Sequence, residues 1–156
     1  MNLRIRAANR NDAELLLGIQ RDACVAAFPH IFPPEKYPFP DEAVLERWQT
    51  ALRDPAAEVV VAEVESSPVG LAAARPAWLD GLYVVPECWG TQVATRLHDH
   101  AVARLGALGH KRCHLWVLED NRRARRFYER RGWELDSETP NPIDVRYTRV
   151  LVDSAG

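Results

Sequence analysis

The sequence predicts a mixed α/β domain spanning residues 1–156, with a central, largely antiparallel sheet flanked by helices. Apolar, β-branched runs are interspersed with stretches whose apolar residues recur every three or four positions, a pattern typical of strands and helices in one domain. Short strands come first in succession and later alternate with helices, which favours a mixed sheet. A chain of 156 residues is long enough to enclose one core.

The chain begins with a predicted strand and helix. Residues 3–7 alternate apolar and polar side chains, as a half-buried strand does. Asn11 or Asp12 is expected to cap a helix that ends near Ala27 or Phe28. The apolar side chains expected on one face of this helix are Leu15, Leu16, Ile19 and Ala23.

Residues 28–40 have the most unusual composition in the chain. They contain five prolines, which prevent regular structure, and four aromatic residues. Because disordered linkers are poor in aromatic residues, the composition predicts an ordered surface loop.

A second helix and three strands are predicted next. Asp41 is expected to cap the helix, which ends at Asp54. Residues 59–64 and 69–74 are apolar runs joined by a short turn, so they predict a β-hairpin, and residues 78–85 predict the following strand. The helix is expected to face inward with Val44, Leu45 and Trp48.

Two strand–turn–helix segments follow. In the first, a buried strand stops at Pro86, and apolar residues at helical spacing predict a helix over 91–106. The first N–H groups of such a helix are unpaired and lie at the positive end of its dipole, so this turn predicts an anion site, most naturally for phosphate. The second segment predicts a strand over 112–118 and a helix over 121–131. The remaining predicted elements are closing strands over 133–136 and 143–152 and a turn over 139–142.

Together the two segments resemble the GNAT superfamily of acetyl-CoA-dependent N-acetyltransferases. The second resembles the family pattern V-x-x-x-N-x-x-A-x-x-F-Y-x-x-x-G-[FW] at every specified position from Val117 to Trp133. The first resembles the family's pyrophosphate loop, V-x-P-x-x-[QR]-G-x-G-x-[GA], only in part, because Trp89 replaces Gln or Arg and Gln92 replaces Gly. The clear resemblance covers residues 79–134.

The resemblance implies acetyl-CoA as cosubstrate and Tyr128 as the general acid that protonates the departing thiolate. The alternative is that Tyr128 only packs beside Phe127. Asn121 is also an ordinary helix cap, whether or not it meets the cosubstrate. The residues implied to bind the cosubstrate are Leu82, Tyr83, Val84, Trp89, Gly90, Thr91, Gln92, Val93, Ala94, Thr95 and Asn121.

The general base and the acceptor site are less determined. Asp80 is ranked above Glu87 as the base, because Glu87 follows Pro86 on the outer turn, and His30 is a third option. In the family the loop over 28–40 borders the acceptor pocket, but the same composition also suits an apolar lid over the core. The residues expected to shape the acceptor site are Phe28, His30, Phe32 and Tyr37, together with Phe39.

The substitution at Gln92 leaves two alternatives. If its φ is helical, the N–H still points at the anion and only affinity is affected. If the site needs a positive φ, Gln is strained there and cosubstrate binding is lost.

Composition argues against several other classes of protein. The net charge is −2, so nucleic acid and membrane surfaces are not expected partners. The arginine-rich run over 122–131 is interpreted as a solvated helix face that, given the family resemblance, could also help to hold the 3′-phosphate of coenzyme A. No apolar run is long enough to span a bilayer, and arginines interrupt the N-terminal region where a signal peptide would be apolar. Three cysteines without CxxC spacing suit free thiols in the cytoplasm and predict no metal site.

The sequence thus predicts a cytoplasmic N-acetyltransferase that acts on a small-molecule amine by direct attack in a ternary complex. Acetylation of a protein N-terminus and a non-catalytic acyl-CoA-binding module are the alternatives. Homodimers are common in the family, so a homodimer is also expected as an option.

Overall fold

The computed structural model describes residues 2–27, 39–136 and 144–151, and at its centre is a seven-stranded sheet. The strands are β1 (Leu3–Ala7), β2 (Glu58–Val64), β3 (Ser67–Arg75), β4 (Trp78–Val84), β5 (Arg112–Leu118), β6 (Glu134–Asp136) and β7 (Asp144–Val150). Their order across the sheet is β1-β2-β3-β4-β5-β7-β6. Of the strand pairs in the described residues, only β4 with β5 is parallel, which confirms the predicted mixed, largely antiparallel sheet.

Helices cover both faces of the sheet. The helices are α1 (Ala13–Ala27) and α2 (Asp41–Arg53) on one face, and α3 (Val93–Ala107) and α4 (Arg122–Arg130) on the other. In β2, Val60 and Ala62 pack in the core beneath α3 and α4, while Val59 and Val61 pack beneath α1 and α2. A strand covered on both faces reads as a continuous apolar run, as β2 does.

The predicted inner faces of the helices are confirmed, but two predicted caps are wrong. A 3-10 turn precedes α1, and Asn9 caps it by accepting from the N–H of Asn11 at 2.9 Å. Asp12 serves as the reciprocal partner, because its carboxylate accepts from the N–H of Asn9 at 2.8 Å. At α2, Pro40 holds the cap position without a side-chain bond, and Asp41 is the first helical residue. The predicted turn over 139–142 and most of the 28–40 loop lie outside the described residues.

Close packing of α3 on β3 depends on a glycine. A Cβ added at Gly70 would lie 2.8 Å from Cδ1 of Leu97, 3.1 Å from the carbonyl oxygen of Tyr83 and 3.2 Å from Cγ1 of Val93. These are contacts with buried neighbours, so the helix and sheet would have to move apart to admit a methyl group.

We expect Gly70→Ala to lower the free energy of unfolding by ~1–3 kcal/mol through overpacking. Gly18→Ala is the matched control, because Gly18 lies within α1 and an added Cβ there meets nothing within 4 Å. The free energy of unfolding of Gly18→Ala should rise by ~0.5–1 kcal/mol, because alanine has a higher helix propensity than glycine. Urea denaturation of both variants measures the difference, and equal effects at the two sites would contradict the packing argument.

A buried histidine links α3 to the segment after α4. His98 is 1% exposed; its Nε2 accepts from the Trp133 indole N–H at 2.9 Å, and its Nδ1 lies 2.9 Å from a carboxylate oxygen of Asp99. The tautomer with the proton on Nδ1 satisfies both partners. Burial lowers the pKa of His98; Asp99 opposes the shift, and Arg149 and Arg131 add to it.

Stability should therefore fall as the pH drops. The pKa of His98 is lower in the folded protein than its value of about 6.5 in the unfolded chain, so on acidification the unfolded chain binds a proton first. The stability that neutral His98 contributes is therefore present above pH ~6.5 and is lost as the pH falls below it. Chemical denaturation at about pH 7.5 and about pH 5.5 measures the free energy of unfolding at each pH. The decrease between the two should be smaller for His98→Gln than for the wild type. His100→Gln, on the exposed side of the same helix, should keep the wild-type dependence.

Candidate active site

The strands β4 and β5 separate soon after they meet. Their single ladder pair joins Trp78 to His114, and the N–H of His114 donates to the carbonyl of Ala77 at 2.8 Å. Beyond this pair, residues 79–84 of β4 have no partner on the β5 side within the described chain. We refer to this opening between the two strands as the gap.

Backbone groups of two β4 residues face the gap. The N–H of Val85 donates to the carbonyl of Val69 at 2.9 Å, which identifies that pair as hydrogen-bonded. Hydrogen-bonded and non-bonded pairs alternate along an antiparallel ladder, so Tyr83 bonds to β3, whereas Leu82 and Val84 direct their backbone groups at the gap. The family resemblance implied cosubstrate contacts for all three residues, whereas the ladder directs the backbone groups of Tyr83 at β3 instead of the gap.

The N-terminus of α3 opens beside the gap. Gly90 has a positive φ of 78°, and Gln92 caps the helix with φ −78° and ψ −5°. The helical alternative for Gln92 is therefore the one realised, and its backbone carries no strain. Within the described residues, no acceptor is found for the N–H groups of Gly90, Gln92, Ala94 and Thr95.

Other N–H groups of this turn are already used. The N–H of Trp89 donates to Pro86, and that of Thr91 donates to Cys88. The N–H of Val93 faces the Thr91 hydroxyl at 3.4 Å. The free donors thus form a concentrated set at the positive end of a 15-residue helix, as an anion site requires.

Tyr128 lies in α4 on the same side of the sheet as α3. It is 8% exposed and packs edge-on against Phe127 and Trp133. Burial raises the pKa of its phenol well above the usual range, and nearby Tyr83 adds to the rise. In the described part of the protein no hydrogen-bond partner is found for its hydroxyl, and both the packing role and the acid role predicted for Tyr128 remain open.

Asn121 caps α4. Its side-chain oxygen accepts from the N–H of Ala124 at 3.2 Å, so the predicted cap is confirmed. This places the start of α4 directly after β5, on the far side of the gap from β4.

Asp80 sits at a β-bulge in β4. Ala73 pairs with Gly81 and Ala74 with Leu79, which leaves Asp80 without a partner in β3. Its carboxylate receives two bonds from Arg75, at 2.5 Å from Nε and 3.0 Å from Nη2.

A cavity of about 320 Å³ lies between α2 and this part of β4. Asp80 and Tyr83 line it together with Gln20 and Trp48, which the sequence did not indicate as site residues. The Trp48 indole donates to Gln20 at 2.8 Å, and the Gln20 amide donates to the Tyr83 hydroxyl at 3.4 Å. Trp48 was recognisable only as an inward-facing residue, and nothing in the pattern distinguishes Gln20.

The predicted acceptor residues Phe28, His30, Phe32 and Tyr37 lie outside the described residues, while Phe39 packs with the α1–α2 core.

The model of the acetyltransferase (GNAT) family matches residues 22–133. The chain belongs to this family, as the sequence predicted. No curated protein sequence matches the chain significantly.

Solved structures agree on the fold. The PaiA N-acetyltransferase of Thermoplasma acidophilum, in complex with coenzyme A, has a TM-score of 0.80 at 20% identity over 96% of this chain and 99% of that one. An acetyltransferase from Thermus thermophilus gives 0.77 at 21% identity, over 97% and 98% of the two chains. A GNAT-family acetyltransferase from Staphylococcus aureus gives 0.77 at 16%, over 97% and 100%.

In residues 2–27, 39–136 and 144–151, no helix is long and apolar enough to cross a membrane. The same residues contain no group of His, Cys, Asp and Glu side chains placed to hold a metal ion.

Proposed function

We propose that this protein transfers an acetyl group from acetyl-CoA to the primary amine of a small molecule, by direct attack in a ternary complex. The observation that carries the proposal is the set of free N–H groups at the α3 N-terminus beside the open edge of β4. Membership of the GNAT family supports acyl transfer from CoA in general. The bound coenzyme A of the PaiA structure supports the same cosubstrate.

The donors fit a pyrophosphate and an extended amide-bearing chain. The N–H groups of Gly90, Gln92, Ala94 and Thr95 would hold the phosphates, and Gly90 lets the backbone approach closely. Backbone groups of Leu82 and Val84 would pair with the pantetheine amides, and an N–H there would polarise the thioester carbonyl. Bound acetyl-CoA supplies the acetyl group as a thioester.

Two side chains would move the protons. The amine nitrogen forms a bond to the thioester carbon, the carbon–sulfur bond breaks, and the hydroxyl of Tyr128 gives its proton to the thiolate. A tyrosine is protonated at neutral pH even without burial, so the phenol has a proton to give at the start of the reaction. The proton lost by the amine would pass to Asp80, directly or through water, on the rim of the 320 Å³ cavity. That volume suits a small acceptor, since ligand pockets measure about 300–1,000 Å³.

Calorimetry with acetyl-CoA and CoA tests the cosubstrate, and release of free thiol with a panel of amines tests the reaction. Micromolar binding and thiol release with small amines would support the proposal. Release only with a peptide bearing a free N-terminus would favour protein acetylation, and binding without release would favour the non-catalytic module. No binding at millimolar CoA would contradict the proposal.

Tyr128→Phe should lower kcat by ~10²–10⁴ while leaving the Kd for acetyl-CoA within about threefold, because only proton donation is lost. Tyr147→Phe is the control: its hydroxyl bonds to Arg125 and Glu129, so removing it should lower stability but not turnover. Steady-state kinetics and thermal unfolding separate the two effects. An unchanged kcat would remove Tyr128 as the acid.

Asp80→Asn should reduce kcat at neutral pH by ~10²-fold or more if the carboxylate is the base. Arg75→Gln breaks the same ion pair but keeps the carboxylate, so it should retain most of the activity. Each variant should change stability by ~1 kcal/mol at most, because the pair is partly exposed. Equal activity losses in both variants would assign the pair a structural role instead.

A further inference from the structure

Two side chains meet across the open end of the gap. On the β4 side, the Trp89 indole N–H donates to the carbonyl of Val84 at 2.8 Å, and Val84 faces the gap. On the β5 side, Arg123 belongs to the first turn of α4, and its guanidinium carbon lies 4.2 Å from the centre of the Trp89 ring. The pair therefore bridges the two sides of the opening.

Arg123 lies at the end of α4 where the helix dipole is positive. The first turn of α4 contains no acidic residue, so its arginines lie at the positive end of the helix dipole. Among the described residues no carboxylate forms an ion pair with Arg123, whose guanidinium lies over the Trp89 indole. The free N–H groups at the start of α3 add further positive charge beside Trp89.

We propose that Trp89 and Arg123 form a displaceable latch over the cosubstrate groove, an inference that rests on the proposed function. When a ligand enters, the indole leaves the Val84 carbonyl, which becomes available to a ligand amide, and the guanidinium moves from the ring to a phosphate. Phosphate is the stronger partner because it accepts charge-assisted, bidentate hydrogen bonds, whereas an exposed cation–π contact is weak. Without ligand, the latch satisfies a carbonyl that faces no neighbouring strand.

The first arm of the test measures the association rate of CoA by stopped flow. Trp89→Phe keeps the ring over Arg123 but loses the indole N–H, so opening should be easier and association about two- to tenfold faster, the equilibrium effect of one neutral hydrogen bond. Trp116→Phe is the control, because Trp116 is exposed and stacks on Trp78, at the end of the gap where β4 and β5 are paired. It should leave the rate unchanged.

The second arm compares CoA with pantetheine, which lacks the phosphates. Arg123→Gln should weaken CoA binding by about tenfold or more and leave pantetheine binding no weaker, because only the phosphate contact is lost. Arg126→Gln, an exposed arginine further along α4, is the control for general charge and should change CoA binding by less than about twofold. Thermal unfolding verifies that each variant is folded.

The outcomes separate the latch from the cosubstrate. If the wild type binds CoA but Trp89→Phe and Arg123→Gln behave like their controls, the latch is overturned and the proposed function stands. If neither the wild type nor any variant binds millimolar CoA, both fail together. If only the Trp89 variant binds, CoA does not displace the pair in the wild type, and both the displaceable latch and the proposed function of the wild-type protein are overturned.

Discussion

The separation of β4 from β5 governs the rest of this structure. A strand in the middle of a sheet normally satisfies its backbone on both edges, but β4 does so on the β5 side only at Trp78. The bulge at Asp80 bends β4 just beyond that point, while antiparallel pairing with β7 holds β5 along its length. Backbone groups that face the gap therefore need a partner from elsewhere. In the free protein Trp89 supplies one such partner, to the carbonyl of Val84, and the amide groups of the proposed cosubstrate would supply others.

Local electrostatics differ sharply from the global charge. The chain has a net charge of −2, yet the N-termini of α3 and α4 both open beside the gap, and the first turn of α4 carries arginines rather than acids. The two strand–helix connections produce this arrangement, because each helix starts where its strand ends. The same layout that exposes the β4 backbone thus surrounds it with positive charge, which suits a ligand with phosphates at one end and amides along its length.

Much of this architecture was predictable where a pattern depends on local geometry. Val93, Leu97, Ala101 and Leu105 recur at helical spacing and are all buried in α3, and Asn121 caps α4 as its position before the helix suggested. The caps of α1 and α2 were mispredicted. Asn9 and Pro40 hold those positions, but the polar residues that follow them, Asn11, Asp12 and Asp41, are also of types that commonly cap helices, so the sequence could not place the cap. Gln20 was missed as a residue of the cavity, and Arg123 was noticed only as part of an arginine-rich run, since the partner of each lies more than 30 positions away.

The sequence alone determined the family, the alternation of elements and the position of the turn between β4 and α3, because these follow from short-range periodicity and from motifs that span a few positions. Only the tertiary structure decided that Gln92 takes a helical φ, that Leu82 and Val84 rather than Tyr83 face the gap, and that Trp89 spans it to Arg123. The physical reason is that strand register and the approach of distant side chains depend on the packing of the whole sheet, which no local pattern encodes.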